Sequence, residues 1–170
     1  MNRLAMTVWA GVVSAAVVCG SVWAQSDKPV NAVDQDLLIK NEVETAISLL
    51  QAVYAKHQQG AMTLEKAKEL GADLLRELHY GTDGYFWADT TNGVNVVLYG
   101  RKDVEGRNRL EDQDPKGVFY VKELLAKGKA GGGYVEYWFV KKGQTTPQPK
   151  RSYVLPFAPF GWVVGTGYYR

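Results

Sequence analysis

The apolar residues of this chain change their spacing near residue 82, and that change limits the kind of fold open to it. Before it, Val43, Ala46, Ile47, Leu50, Val53 and Tyr54 recur at intervals of three and four, which puts them on one face of a helix. Asp34 is suited to cap that helix, and Gly60 to stop it after about Gln59. A second helix is expected from the N-cap Thr63, with Glu65 in the first turn where the dipole favours an acid. Its stripe is Leu64, Ala67, Leu70, Leu74, Leu75 and Leu78, and Gly81 ends it.

Beyond residue 82 the segments are short, aromatic and separated by turn residues. Gly84–Ala88 reads as a strand, Asp89–Gly93 as a turn with an Asn-Gly pair, and Val94–Tyr99 as the partner strand. Residues 100–114 are charged and show no period. Asp114-Pro115 has the form of an N-cap followed by N1, so a third helix is expected over Lys116 to about Ala126, with Val118, Val121, Leu124 and Leu125 inward. Strands follow at Tyr134–Val140, Arg151–Phe157 and Trp162–Thr166, with a polar loop over Lys141–Gln148. Two helices, a hairpin, a helix and three closing strands make an α+β domain with one antiparallel sheet. The two N-terminal helices must bury their stripes on one sheet face. The other face is left to the third helix and the long loops, where a cavity is expected.

The first 24 residues stand apart. Arg3 is their only charge, Leu4–Val18 is almost wholly apolar, and Val22 and Ala24 occupy the positions a signal peptidase reads. A signal peptide over 1–24, cut after Ala24, is therefore expected, followed by a flexible start over 25–33 and one domain over 34–170. An uncleaved anchor is the alternative, because Leu4–Ala24 is long enough to cross a bilayer. Cys19, the only cysteine, lies in that segment behind the bulky Val18, which disfavours lipid attachment and leaves no thiol for the domain. Localisation outside the cytoplasm, periplasmic or secreted, follows.

Several function classes find no support. A net charge of +2 without a block of like charges argues against nucleic acid. His57 and His79 lie on different helices without a cysteine companion, which argues against a zinc site and against a base for Ser152. Asp103, Glu105, Glu111, Asp112 and Asp114 lack the register of a calcium loop. Gly131–Gly133 is not followed by Lys-Ser/Thr, so it is no phosphate cradle. No catalytic residue, metal or cofactor is expected, and the chain is not read as an enzyme.

A series of short motifs then carries a resemblance. Asp83-Gly84-Tyr85-Phe86-Trp87, Asp89-Thr90-Thr91-Asn92-Gly93, Glu105-Gly106 and Asp112-Gln113-Asp114-Pro115-Lys116-Gly117 occur in order. Gly133–Trp138, Pro149–Val154 and Gly161–Tyr168 continue them. In this order they resemble the single Cache domain, the extracellular sensor of bacterial chemoreceptors and histidine kinases, over roughly residues 35–170. The resemblance implies a PAS-like Cache fold, with long N-terminal helices packed on a five-stranded antiparallel sheet and a ligand pocket on the opposite face. It implies a small metabolite as ligand, often a short organic acid such as acetate, propionate, pyruvate or lactate, and a role in signal transduction or chemotaxis. Three features depart from the family pattern. Tyr99-Gly100 stands where relatives often have His-Pro, Arg151 stands where an apolar residue is usual, and the chain stops at Arg170. The last suggests a stand-alone form whose output lies in a membrane receptor or kinase. Pairing through the N-terminal helix, as in relatives, would give a homodimer.

A small carboxylate needs a cation or several donors beside an apolar wall. Tyr85 and Trp87 alternate onto one face of their strand and supply a hydroxyl, a flat wall and an N–H. Tyr99 offers a ring donor at the end of the second strand, Tyr120 lies on the third helix, and Tyr137 on the third strand. Lys150, at a position where relatives also carry lysine, is the expected charge partner, with Arg101 second. Each aromatic residue equally suits plain core packing, and a loop lysine is commonly just solvated. The alternative function is a periplasmic protein–protein interaction domain without a metabolite ligand.

Overall fold

The computed structural model describes residues 32–170. The expected signal segment and most of the expected flexible start lie outside the described residues. Helix α1 spans Ala32–Gln58 and α2 Leu64–Glu77. The strands are β1 (His79–Tyr80), β2 (Gly84–Tyr85), β3 (Trp87–Thr90), β4 (Asn95–Leu98), β5 (Gly133–Val140), β6 (Pro147–Phe157) and β7 (Trp162–Tyr169). Helix α3 covers Tyr120–Lys129. Five strands form one antiparallel sheet in the order β4-β3-β7-β6-β5, and β1 pairs with β2 separately. Among the described residues no helix is long and apolar enough to cross a membrane.

Period-two alternation sorts the sheet into two cores. Phe86 and Ala88 face α1 and α2, where Ala46, Leu50, Val53 and Leu75 are buried with Val97, Val164, Phe160 and Trp162. Tyr85 and Trp87 face α3, among Val121, Leu124, Leu125, Val135, Tyr137, Val154 and Val163. The helical stripes thus pack as their spacing predicts. Thr63 caps α2 by accepting from the Lys66 N–H.

Several boundaries differ, each for a physical reason. α1 begins at Ala32, so Asp34 lies in its first turn. The predicted strand over Gly84–Ala88 divides at Phe86, and Asp89 belongs to β3 because Thr90, not Asp89, closes the turn with Val94. β6 starts at Pro147, which puts Lys150 within a central strand and not in the loop before it. α3 starts four residues late. Gly117, at φ 78°, breaks a helix from Lys116, and Asp114 does not cap one. Its Oδ1 accepts from the N–H groups of Lys116 and Val118, and its Oδ2 from Trp138 N–H at 3.0 Å on β5. Burial would raise this carboxyl, but the N–H groups of Val118, Trp138 and Lys116 hold it below the usual carboxylate range.

Arg151, unusual at its position in the motif series, has a specific partner. Its Nε and Nη2 donate to the two oxygens of Asp36 at 2.7 and 2.8 Å, tying the start of α1 to β6. Tyr168 of β7 adds a hydroxyl bond to Asp36 at 3.1 Å. The Arg151 hydrogen bonds hold the Asp36 carboxyl below its ordinary value. This contribution to stability is present above the unfolded carboxylate pKa and is lost as pH falls through the depressed folded one. Asp36→Asn is expected to cost about 1–2 kcal/mol at neutral pH, after allowance for partial exposure. In urea denaturation the difference from wild type should vanish below the carboxylate range.

Candidate functional site

Lys150 sits on β6 with its side chain toward α3 and only 2% of its surface exposed. Its ammonium donates to the Tyr85 hydroxyl at 2.8 Å and lies 4.4, 5.0 and 5.4 Å from the ring centres of Tyr85, Tyr169 and Phe139. Tyr169 spends its proton on the Val140 carbonyl at 3.2 Å, so Tyr85 is the donor to Tyr169. Every proton in this chain therefore points away from Lys150. Burial works against the ammonium, and the phenol oxygens of Tyr85, Tyr137 and Tyr169 around it favour the charged form. Burial would likewise raise the Tyr85 phenol, which the ammonium instead pulls below its usual value. Among the described residues no carboxylate forms an ion pair with Lys150.

A second buried cation lies across the same space. Arg109 is 4% exposed and comes from the loop between β4 and α3, whose backbone is stitched to the β3–β4 turn by Arg109 N–H to Gly93 C=O at 2.8 Å. Its Nη2 donates to the Tyr120 hydroxyl at 2.9 Å, its Nη1 to Asp89 Oδ1 at 3.4 Å and its Nε to Asp112 Oδ2 at 3.3 Å. Asp89 is wholly buried, and Asn95 Nδ2 donates to the same Oδ1 at 2.8 Å. Burial pushes the Asp89 carboxyl up, against the pull of Arg109.

Trp87, Asp89, Arg109, Tyr120, Tyr137 and Lys150, with Leu98, Leu124 and Phe139, line one cavity of about 10 Å³. The Tyr120 and Tyr137 rings stack with centres 5.0 Å apart, and the Tyr137 hydroxyl pairs with Ser152 at 3.0 Å. The Trp87 indole packs close over β7 because its register partner is Gly165, where any Cβ would strike it. Among the described residues three buried polar atoms lack a hydrogen-bond partner: Trp87 Nε1, Asp89 Oδ2 and Asn95 Oδ1. Two cations, phenolic donors and aromatic walls suit a small anion.

The structure brings Trp87, Tyr120, Tyr137 and Lys150 together. Tyr85 touches Lys150 and lines an outer groove of about 110 Å³. Tyr99 and Arg101 line that groove and not the cavity. Tyr99 packs against His79 and Tyr85 at 4.3 and 5.7 Å. Arg101, the expected second charge partner, stands outside the cavity: Gly100 has φ 71°, and Asp103 captures the guanidinium through two bonds of 3.1 Å. Arg109 and Asp89 were not foreseen. Asp89 was open to inference, since it shares the face of Trp87 two residues away, but Arg109 has no local signal.

The profile of the family described as Single Cache domain 2 matches residues 33–170. The chain belongs to this family. Cache domains are extracytoplasmic sensor modules that bind ligands and are not themselves catalytic. This one is 33% identical over 163 residues to the sensor histidine kinase MctS of Rhizobium johnstonii, a match covering 91% of this chain and 35% of the kinase. It is 27% identical over 131 residues to the methyl-accepting chemotaxis protein McpP of Pseudomonas putida, covering 76% of this chain and 24% of the receptor. The chain thus spans about a quarter to a third of the length of these relatives. Among solved structures, a periplasmic sensor domain of a chemotaxis protein superposes with a TM-score of 0.77 at 31% identity, covering 81% of this chain and 96% of that one. A Cache chemosensory domain solved for its carboxylic acid recognition gives 0.77 at 30% identity, covering 79% and 92%. The expected PAS-like Cache fold with its five-stranded antiparallel sheet is what the chain adopts.

Proposed function

We propose that this Cache domain is an exported sensor that binds a short monocarboxylate between the sheet and α3, with Lys150 as its charge partner. The observation that carries this is a fully buried ammonium without an acidic partner among the described residues. Such a charge is costly to bury, and an incoming carboxylate would compensate it with charge-assisted hydrogen bonds. The solved relative with carboxylic acid recognition supports the same ligand class. A cavity of about 10 Å³ has room for roughly one water, so even acetate enters only as the α3 side moves outward. That movement is the change a receptor or kinase partner would read. Export would use residues 1–24 as signal peptide, with cleavage after Ala24 releasing the domain over 34–170.

Thermal unfolding of the purified protein with acetate, propionate, pyruvate or lactate, and with the corresponding amides, tests this. An acid at about a hundred times its Kd should stabilise the protein by about 2.7 kcal/mol, which is several degrees in Tm. The uncharged amides should do nothing. If no acid raises Tm, a protein–protein interaction domain replaces this function.

A further inference from the structure

We infer that the site also selects a hydroxyl group beside the carboxylate, and that Trp87 and Asp89 are the residues that determine this specificity for short 2-hydroxy acids. The inference rests on the carboxylate function proposed above. Trp87 and Asp89 are two residues apart on β3, so their side chains leave the same face, and both line the cavity with Lys150 and Arg109. The indole packs over Gly165 of β7, in space that a Cβ there would fill. Its Nε1–H is a donor and nothing else. On Asp89, Oδ1 is occupied by Asn95 and Arg109 while Oδ2 has no partner. Two side chains that line the cavity thus carry, beside its two cations, a buried donor and a buried acceptor without partners among the described residues.

These two atoms do not suit a carboxylate alone. A carboxylate accepts only, and it would repel Asp89 Oδ2. A keto oxygen takes the indole N–H but leaves the acceptor unmet. A methylene meets neither. A hydroxyl accepts from Trp87 and donates to Asp89 at once. Sites with buried polar groups aimed at a hydroxyl discriminate strongly against the analogue that lacks it, because those groups are then left unpaired.

Isothermal titration of the purified protein at neutral pH with L-lactate, D-lactate, propionate and pyruvate tests the assignment. Lactate and propionate share the carboxylate and the three carbons and differ in the hydroxyl. One lactate enantiomer should bind at least about tenfold more tightly than propionate. In Trp87→Phe the ratio of lactate to propionate affinity should fall to within about twofold, whatever the absolute affinities. Asp89→Asn converts the free acceptor into a donor, so pyruvate should overtake lactate. If Asp89→Asn does not fold, Trp87→Phe decides alone. Equal binding of propionate and both lactates to the wild type overturns the inference and leaves the carboxylate function standing. A lactate preference that survives Trp87→Phe overturns the residue assignment. If none of the four acids binds, the carboxylate function fails and the inference with it.

Discussion

Lys150→Met is expected to weaken carboxylate binding by at least about thirtyfold and, in the same protein, to leave the melting temperature unchanged or raise it. The two effects have opposite signs because they come from one charge. In the unliganded domain the ammonium is 2% exposed and holds one direct hydrogen bond, to Tyr85 at 2.8 Å. Its other contacts are the faces of Tyr85, Tyr169 and Phe139. Desolvating a cation costs several kcal/mol, and replacement of buried charges by apolar side chains of similar volume is often neutral or stabilising by about 1–4 kcal/mol. Methionine keeps the length and flexibility of the stem. The Tyr85 hydroxyl keeps its bond to Tyr169, so no buried donor is stranded. Binding, by contrast, loses the group that faces the ligand's charge. Truncating one member of a buried charge pair costs about 2–5 kcal/mol, which is roughly thirty- to several-thousand-fold in affinity. A structural lysine would behave differently: its loss would lower Tm and leave acid binding alone. Thermal unfolding and titration of the one variant separate the two cases.

Arg109→Met should instead destabilise the domain strongly, by about 3–5 kcal/mol, because it strands a buried carboxylate. Asp89 has no exposed surface, and without Arg109 it keeps only the Asn95 amide on Oδ1 and nothing on Oδ2. Burial already raises its pKa, and loss of the guanidinium raises it further. An acid whose folded pKa lies above its unfolded value favours folding below the unfolded pKa, and that advantage is lost as pH rises through the folded one. The penalty of Arg109→Met should therefore shrink as pH falls from neutral through the carboxylate range. Adding Asp89→Asn should recover much of it at neutral pH. Urea denaturation of the two single variants and the double variant, at several pH values, measures both effects. A double variant no more stable than Arg109→Met would mean that the pair is not coupled.

The fold was open to sequence reasoning wherever a period was long enough to count. The stripes of α1 and α2 and the alternation from Tyr85 to Ala88 assign each side chain to its core, since burial on one face imposes that period. Asp114 was misread because Asp-Pro is also how helices begin. What it does depends on the Trp138 N–H, 24 residues away, which no local pattern contains. The site divides in the same way. Trp87, Tyr120 and Tyr137 follow from strand and helix geometry, and Lys150 followed from resemblance, since a lysine read as lying in a loop gives no hint of burial. Arg109 was out of reach. It lies in an aperiodic loop, and its partners Asp89 and Tyr120 meet it only in the folded chain. Arg101 misled for the converse reason: it is near the pocket in sequence, but Gly100 and Asp103 direct it to solvent.

The most direct measurement of the central claim is a crystal structure of the domain grown with propionate or L-lactate at saturation. The carboxylate should lie between Trp87 and Tyr137, with one oxygen about 2.7–2.9 Å from Lys150 Nζ. An acid bound elsewhere, with Lys150 still bonded to Tyr85 alone, would contradict it.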